Sequence, residues 1–225
     1  MTDERTSSFL RSLGPALPPY LAAAEEEARR DFIPIIRKEA QTLIMTLITA
    51  LQPRSILEIG TAVGFSTMLM REYAPECCHI TTIESSGQRA EAARKHFREA
   101  GAEDSITLVE DDALSVLPSL KDTYDFIFLD GAKGQYINML GDLIRLLGEG
   151  GVLVSDNVMQ EGEILESRYV IRQRDRTIHT RMREYLHELT HTDCLRTSVL
   201  SAGDGITVSV RVRGIPYPVT GKERH

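Results

Sequence analysis

The chain alternates between two periods. From Ser55 onward, short apolar runs of strand character appear at 55–59 (SILEI), 79–84 (HITTIE), 105–110 (SITLVE), 124–130 (YDFIFLD) and 151–156 (GVLVSD). Between them lie stretches with helical spacing, at 66–74, 88–100, 113–120 and 135–147. Nearly continuous apolar runs mark strands covered on both faces. Strand, helix, strand at this pitch predicts βαβ units, hence an α/β fold with a parallel sheet and helices on both sides. Gly101 and Gly148 follow the second and fourth helical stretches as expected stops. A last helix over about 176–190 precedes two strands, about 195–201 and 205–213, and the short Gly203-Asp204-Gly205 connection makes these a hairpin. Ahead of the alternation, 18–32 opens on two prolines and continues in strong helix formers. The stretch 38–51 is a second helix, more apolar and therefore more buried. No repeat, low-complexity tract or linker divides the chain, so one domain is expected over 1–225, with N-terminal helices (1–52) against a core (53–213).

Two of the strand-like runs end in acid. FIFLDGAKGQY (126–136) carries Asp130, with Lys133 three residues on, and VLVSDNV (152–158) carries Asp156 followed at once by Asn157. Ligands of open α/β sheets bind just outside the carboxyl ends of the strands. Two such ends in one parallel sheet would bring together three oxygen donors and a lysine. Oxygen-only donors select a hard cation, Mg²⁺ before zinc. Each residue alone reads as a turn cap or a solvated charge; their joint placement carries the chemistry. A cation held by Asp130, Asp156 and Asn157 would acidify a bound hydroxyl, and Lys133 would remove its proton. A second oxygen beside it would complete a chelate, which favours vicinal diols and hydroxy-carbonyls.

LEIGTAVGFS (57–66) is a strand, a glycine turn and a helix start. Gly60 and Gly64 let backbone approach a ligand, and Ser66 is a candidate helix cap. The G-x-G-x-x-G dinucleotide spacing is absent. Glu84 closes the second strand, where an acid accepts hydrogen bonds from ribose hydroxyls. EDDA (110–113) closes the third, where Asp112 and Ala113 would meet a base, while Asp111 reads as a solvated turn or helix cap.

Composition narrows the class. A net charge of −7 and a pI near 5.4 argue against a surface coated for non-specific nucleic-acid binding but allow a local basic patch. No apolar run reaches the length of a membrane span, and MTDERTSSFL has no signal-peptide pattern. Three cysteines, an odd number without metal-ligand spacing, fit a reduced cytosolic protein.

In this order, LEIGTAVGFS, TTIE, FIFLDGAKGQY and VSDNV resemble the S-adenosylmethionine-dependent, metal-dependent O-methyltransferases of the catechol and caffeoyl-CoA type, over roughly residues 32 to 213. The resemblance implies a Rossmann-like class I methyltransferase with a seven-stranded, mostly parallel sheet whose last strand is antiparallel. It implies a cofactor site of Ile36, Gly60, Ala62, Phe65, Ser66, Glu84, Asp112, Ala113 and Asp130. It also implies Mg²⁺ or another hard divalent cation on Asp130, Asp156 and Asn157, and a cytosolic enzyme expected as a homodimer. Residues 166–185 hold six arginines, three acids and no lysine. With AGDGITVSV (202–210), that stretch resembles the bacterial tRNA 5-hydroxyuridine methyltransferase branch. The expected acceptor is then the wobble uridine of a tRNA anticodon, with Arg172, Arg174 and Arg176 on its phosphates. The alternatives are a small catechol-like acceptor or, from another class, a non-catalytic binding module.

Overall fold

A computed structural model describes residues 4–30 and 32–217. Fifteen segments of α-helix and strand follow in order among the described residues: α1 (Glu4–Ser12), α2 (Pro19–Arg30), α3 (Lys38–Leu51), β1 (Ser55–Ile59), α4 (Phe65–Tyr73), β2 (His79–Glu84), α5 (Gly87–Glu99), β3 (Ile106–Glu110), α6 (Ala113–Val116), β4 (Tyr124–Leu129), α7 (Tyr136–Leu146), β5 (Leu147–Ser155), α8 (Arg176–His191), β6 (Leu195–Leu200) and β7 (Ile206–Arg211). The strands form one seven-stranded sheet in the order β3-β2-β1-β4-β5-β7-β6. The first five are parallel, and β7 enters antiparallel between β5 and β6. The chain runs outward from β1 to β3 and then crosses to β4, so the crevice between the ends of β1 and β4 is the topological switch point where such sheets take ligands.

Alternation along the strands sorts the core into two layers. Leu57, Ile127, Leu129 and Leu153 face a layer with Leu140, Leu143 and Ile144 of α7 and Met182 and Tyr185 of α8. Ile56, Phe126, Phe128, Val152 and Val154 face the opposite layer, with Ile44 and Ile48 of α3, Leu69 of α4 and Phe97 of α5. Removing this apolar surface from water is the main favourable contribution to the fold.

The expected helices and strands recur with four differences. Helix α1 was not read from the sequence, because its side chains are largely exposed and give no broad apolar stripe. The 18–32 helix ends at Arg30, and Asp31 lies outside the described residues. The 113–120 helix stops at Val116 and tightens to a 3₁₀ turn over Leu117–Ser119, where Pro118 removes a backbone donor. Gly148 does not end a helix: α7 stops at Leu146, and Leu147 already pairs with Tyr124 as β5 begins, the register slipping before Phe126 pairs with Val152. Among the described residues no helix is long and apolar enough to cross a membrane, and Cys77, Cys78 and Cys194 are all unpaired thiols.

Candidate active site

The strand ends are knitted together before any side chain is considered. Gly60 N donates to Ile83 O, Asp130 N to Ile59 O and Asp156 N to Leu129 O, so hydrogen bonding continues past β1, β4 and β5 into their loops. At Gly60 the approach is so close that an added Cβ would lie 2.2 Å from Asp130 O, and its φ of +98° is left-handed, so only glycine fits this turn. A cavity of about 640 Å³ opens at these ends. It is lined by Ile36, Gly60, Ala62, Glu84, Asp112, Ala113, Asp130, Lys133, Asp156 and Asn157.

The glycine turn is clasped from β2. Glu84 accepts Ala62 N through Oε2 and Ser86 N through Oε1, each at 2.9 Å, and is 6% exposed. Asp112 caps α6 by accepting Leu114 N at 2.8 Å, so the capping role belongs to Asp112 rather than Asp111. Phe65 and Ser66 do not line the cavity. Gly64, not Ser66, is the residue that precedes α4, and this turns the helix's first residues inward. Phe65 packs in the core, and the Ser66 hydroxyl donates to Glu58 Oε1 at 2.5 Å. Glu58, fully buried on β1, also accepts from Thr82 at 2.6 Å and from Thr67. Three hydroxyl donors and no cation surround this carboxyl, and burial pushes its pKa up.

The acidic end matches the expected convergence. Asn157 Nδ2 donates to Asp130 Oδ1 at 2.9 Å, and Asp156 Oδ1 accepts Asn157 N at 2.7 Å. Asn157 stands at φ +60°, a conformation asparagine tolerates better than most residues. Beneath them the buried Tyr136 hydroxyl donates to Leu129 O and Asp156 O, at 3.3 and 3.2 Å, which ties the ends of β4 and β5. Its ring meets Tyr185 edge-on at 5.4 Å, and the Tyr185 hydroxyl bonds Ser155 at 2.5 Å.

A third carboxylate, absent from the sequence reading, completes this end. Asp204, in the β6–β7 turn and 5% exposed, accepts Glu161 N at 2.5 Å and pairs with Lys133 Nζ at 3.6 Å. Its only signal in sequence is an acid between two glycines, which a hairpin turn explains fully. Burial, then the charges of Asp130 and Asp204, push the Asp156 carboxyl up to about 7, against the pull of the Asn157 N–H and Lys133. Burial also raises Asp130, although Asn157 and Lys133 favour its charged form. Crowded acids of this kind fit a hard divalent cation, and the donors are all oxygens. Among the described residues no group of three or more His, Cys, Asp or Glu is arranged to hold an ion; this set reaches three donors through the Asn157 carboxamide.

The arginine segment divides. Arg176 donates to Ile171 O, Arg181 to Gly134 O, Arg183 to Ile164 O, and Arg174 pairs with Asp175. Arg181 thereby fixes α8 to the 3₁₀ turn bearing Lys133. Of the three arginines expected on phosphates, Arg176 and Arg174 are engaged within the fold. Arg172 and its neighbour Arg168 have no partner among the described residues.

A family model described as O-methyltransferase matches residues 20–212. A catechol O-methyltransferase of Mycobacterium tuberculosis is 35% identical over 161 residues, which cover 70% of this chain and 73% of that protein. Among solved structures, a cofactor-bound protein from MTB matches at 29% identity with a TM-score of 0.78, over 92% of this chain and 95% of that one. An O-methyltransferase from Bacillus cereus in complex with SAH shares the fold, at 20% identity and a TM-score of 0.80, over 92% and 97%.

Proposed function

The chain belongs to the O-methyltransferase family and is an S-adenosylmethionine-dependent enzyme of that kind, and from that premise we propose that its acceptor is a small vicinal diol held against a hard divalent cation. One observation carries the proposal: Asp130, Asp156, Asn157 and Lys133 stand at adjacent strand ends in the same cavity as Gly60 and Glu84. Support for a small acceptor comes from a second cavity of about 860 Å³ that adjoins this one, lined by α3, the segment before α2, the loop after β5 and the β6–β7 turn. The catechol O-methyltransferase relative points the same way.

Glu84 would receive the ribose hydroxyls, Gly60 and Ala62 would let the cofactor approach the backbone of the glycine turn, and Asp112 and Ala113 would meet the base. The cofactor, when bound, supplies an electrophilic methyl on a sulfonium, whose transfer depends mainly on alignment with the attacking oxygen. Mg²⁺ or a similar cation, when bound, supplies Lewis acidity toward the acceptor hydroxyl. Asp130, Asp156 and Asn157 give that cation its oxygen donors. Lys133 is placed to receive the hydroxyl proton at Nζ, and Asp204, 3.6 Å away, positions it. The three unpaired cysteines support a cytosolic setting, and exposed Phe32 and Val170 support a homodimer, checked by sedimentation.

Transfer of a labelled methyl group to catechol tests the mechanism. Asp156→Ala should lower turnover by about a hundredfold or more while cofactor affinity stays near wild type, since a charged donor goes and the glycine turn stays. Full activity of the wild type after verified metal removal would refute the metal step. A second reading has one observation in its favour: the Arg168 and Arg172 guanidinium groups have no partner among the described residues and flank Tyr169, which is 89% exposed. Arginine and an aromatic ring suit a single-stranded RNA loop. Methylation of an anticodon stem-loop carrying 5-hydroxyuridine, with free catechol ignored, would make that reading the correct one.

A further inference from the structure

Three residues line both cavities: Arg37, Glu161 and Asp204. They stand at the passage between the metal donors and the larger space beyond. Asp204 is engaged with Lys133 and with the Glu161 backbone. The other cations of the larger cavity are engaged too, Arg11 with Glu39 at 3.0 Å and Lys38 with Glu25 at 2.6 Å. The Arg37 guanidinium alone among that cavity's cations has no partner among the described residues. The residue is exposed, and its stem lies beside the β6–β7 turn: a Cβ built at Gly203 would sit 3.6 Å from Arg37 Cδ and 3.7 Å from its Cβ.

Resting on the methyltransfer reading above, we propose that Arg37 selects acceptors with an anionic substituent, a carboxylate on the diol-bearing ring, and pairs with it in the passage. A diol held across Asp130, Asp156 and Asn157 would have the cofactor on the side of Gly60 and Glu84, which line the same cavity. The rest of the molecule must extend toward the larger cavity, and Arg37 is on that route. Guanidinium and carboxylate match as two parallel hydrogen bonds. Glu161 lies with Asp204, whose carboxylate pairs with Lys133, and the divalent cation of the proposed function would balance the remaining negative charge. Arg37, at the start of α3, lies beside the β6–β7 turn that carries Asp204, and no side chain caps the helix there. The first turn of a helix carries partial positive charge, so its sign adds to that of the guanidinium.

Steady-state kinetics with protocatechuate, catechol and dopamine tests this. Wild type should favour protocatechuate over catechol, and Arg37→Gln should cut the ratio of their kcat/KM values about tenfold or more, mainly through KM for the anion. Arg37→Lys should restore part of that ratio. A ratio unchanged in Arg37→Gln, or a wild-type preference for the cationic dopamine, overturns the assignment. So does a loss of cofactor affinity in Arg37→Gln, measured by calorimetry, because Arg37 then reads the cofactor. Failure of wild type to methylate any of the three overturns the small-acceptor reading itself, and this inference falls with it.

Discussion

Single carboxylates do unlike work in this site because their surroundings differ. Glu84 keeps both oxygens on backbone N–H groups of the glycine turn and the following loop, so it shapes the turn and presents its remaining lone pairs to a ligand. Glu84→Ala should therefore weaken cofactor binding by about 2 kcal/mol or more, roughly thirtyfold in Kd, and calorimetry would read it. An unchanged Kd would remove Glu84 from the site. Asp156 is governed by burial and by Asp130, which hold its carboxyl up to about 7. A carboxyl raised on folding binds its proton more tightly in the folded state than in the unfolded one. Its favourable contribution is complete at low pH and is lost as pH climbs from the ordinary carboxylate range through about 7. Metal-free protein should accordingly melt lower at about pH 8 than at about pH 5. Asp156→Asn, which cannot ionise, should narrow that gap, and so should added Mg²⁺. Thermal melts at both pH values decide it; a gap the variant leaves intact would place its source elsewhere.

At the level of elements, the buttress under β4 and β5 has the clearest consequence. Tyr136 starts α7, yet its hydroxyl bonds carbonyls at the ends of both strands. Tyr136→Phe keeps the ring and its packing on Tyr185 but leaves two buried carbonyls without this donor, so about 1 kcal/mol of stability should go. Metal affinity should fall with it, as the strand ends lose their common tether; a melt and a Mg²⁺ titration measure the two. The strands and the acids closing them were legible in sequence, because a covered strand is an apolar run and the residue after it stands at the sheet's edge. Local signals also marked α3 and the hairpin. What stayed hidden depends on distant pairing. Asp204 acquires its meaning only when β7 lies beside β5 and carries the turn to Lys133. Glu58 looks like one polar position in SILEI until Ser66, Thr67 and Thr82 close over it. Ser66 itself was misread as a cap because Gly64, two residues earlier, takes that place. Arg37 is unremarkable in sequence because only the fold shows which cations are left unpaired.

Over the whole molecule, acidity and a local arginine cluster coexist. With a net charge of −7, tight RNA binding would have to come from a few focused contacts, for which Arg168 and Arg172 would be the candidates. If RNA is the acceptor, replacing both with glutamine should lower the salt slope of binding by up to about two units, at roughly 0.7–0.9 per phosphate, while transfer to catechol survives. A filter-binding series over several salt concentrations reads the slope; an unchanged slope would make that face a plain solvated surface. The sheet order also has a consequence for the birth of the protein. Because β7 is the last of the described strands to be synthesised and yet lies inside the sheet, β5 waits with a bare edge while the ribosome finishes the hairpin. The glycine turn and the proposed metal donors are all present in the nascent chain by residue 157, but the partner that holds Lys133 arrives some 47 residues later, at Asp204. Translation thus delivers the glycine turn and the strand ends beside it first and the carboxylate that pairs with Lys133 last, and until then the open edge of β5 is where a nascent chain of this kind is most exposed to pairing with the wrong strand.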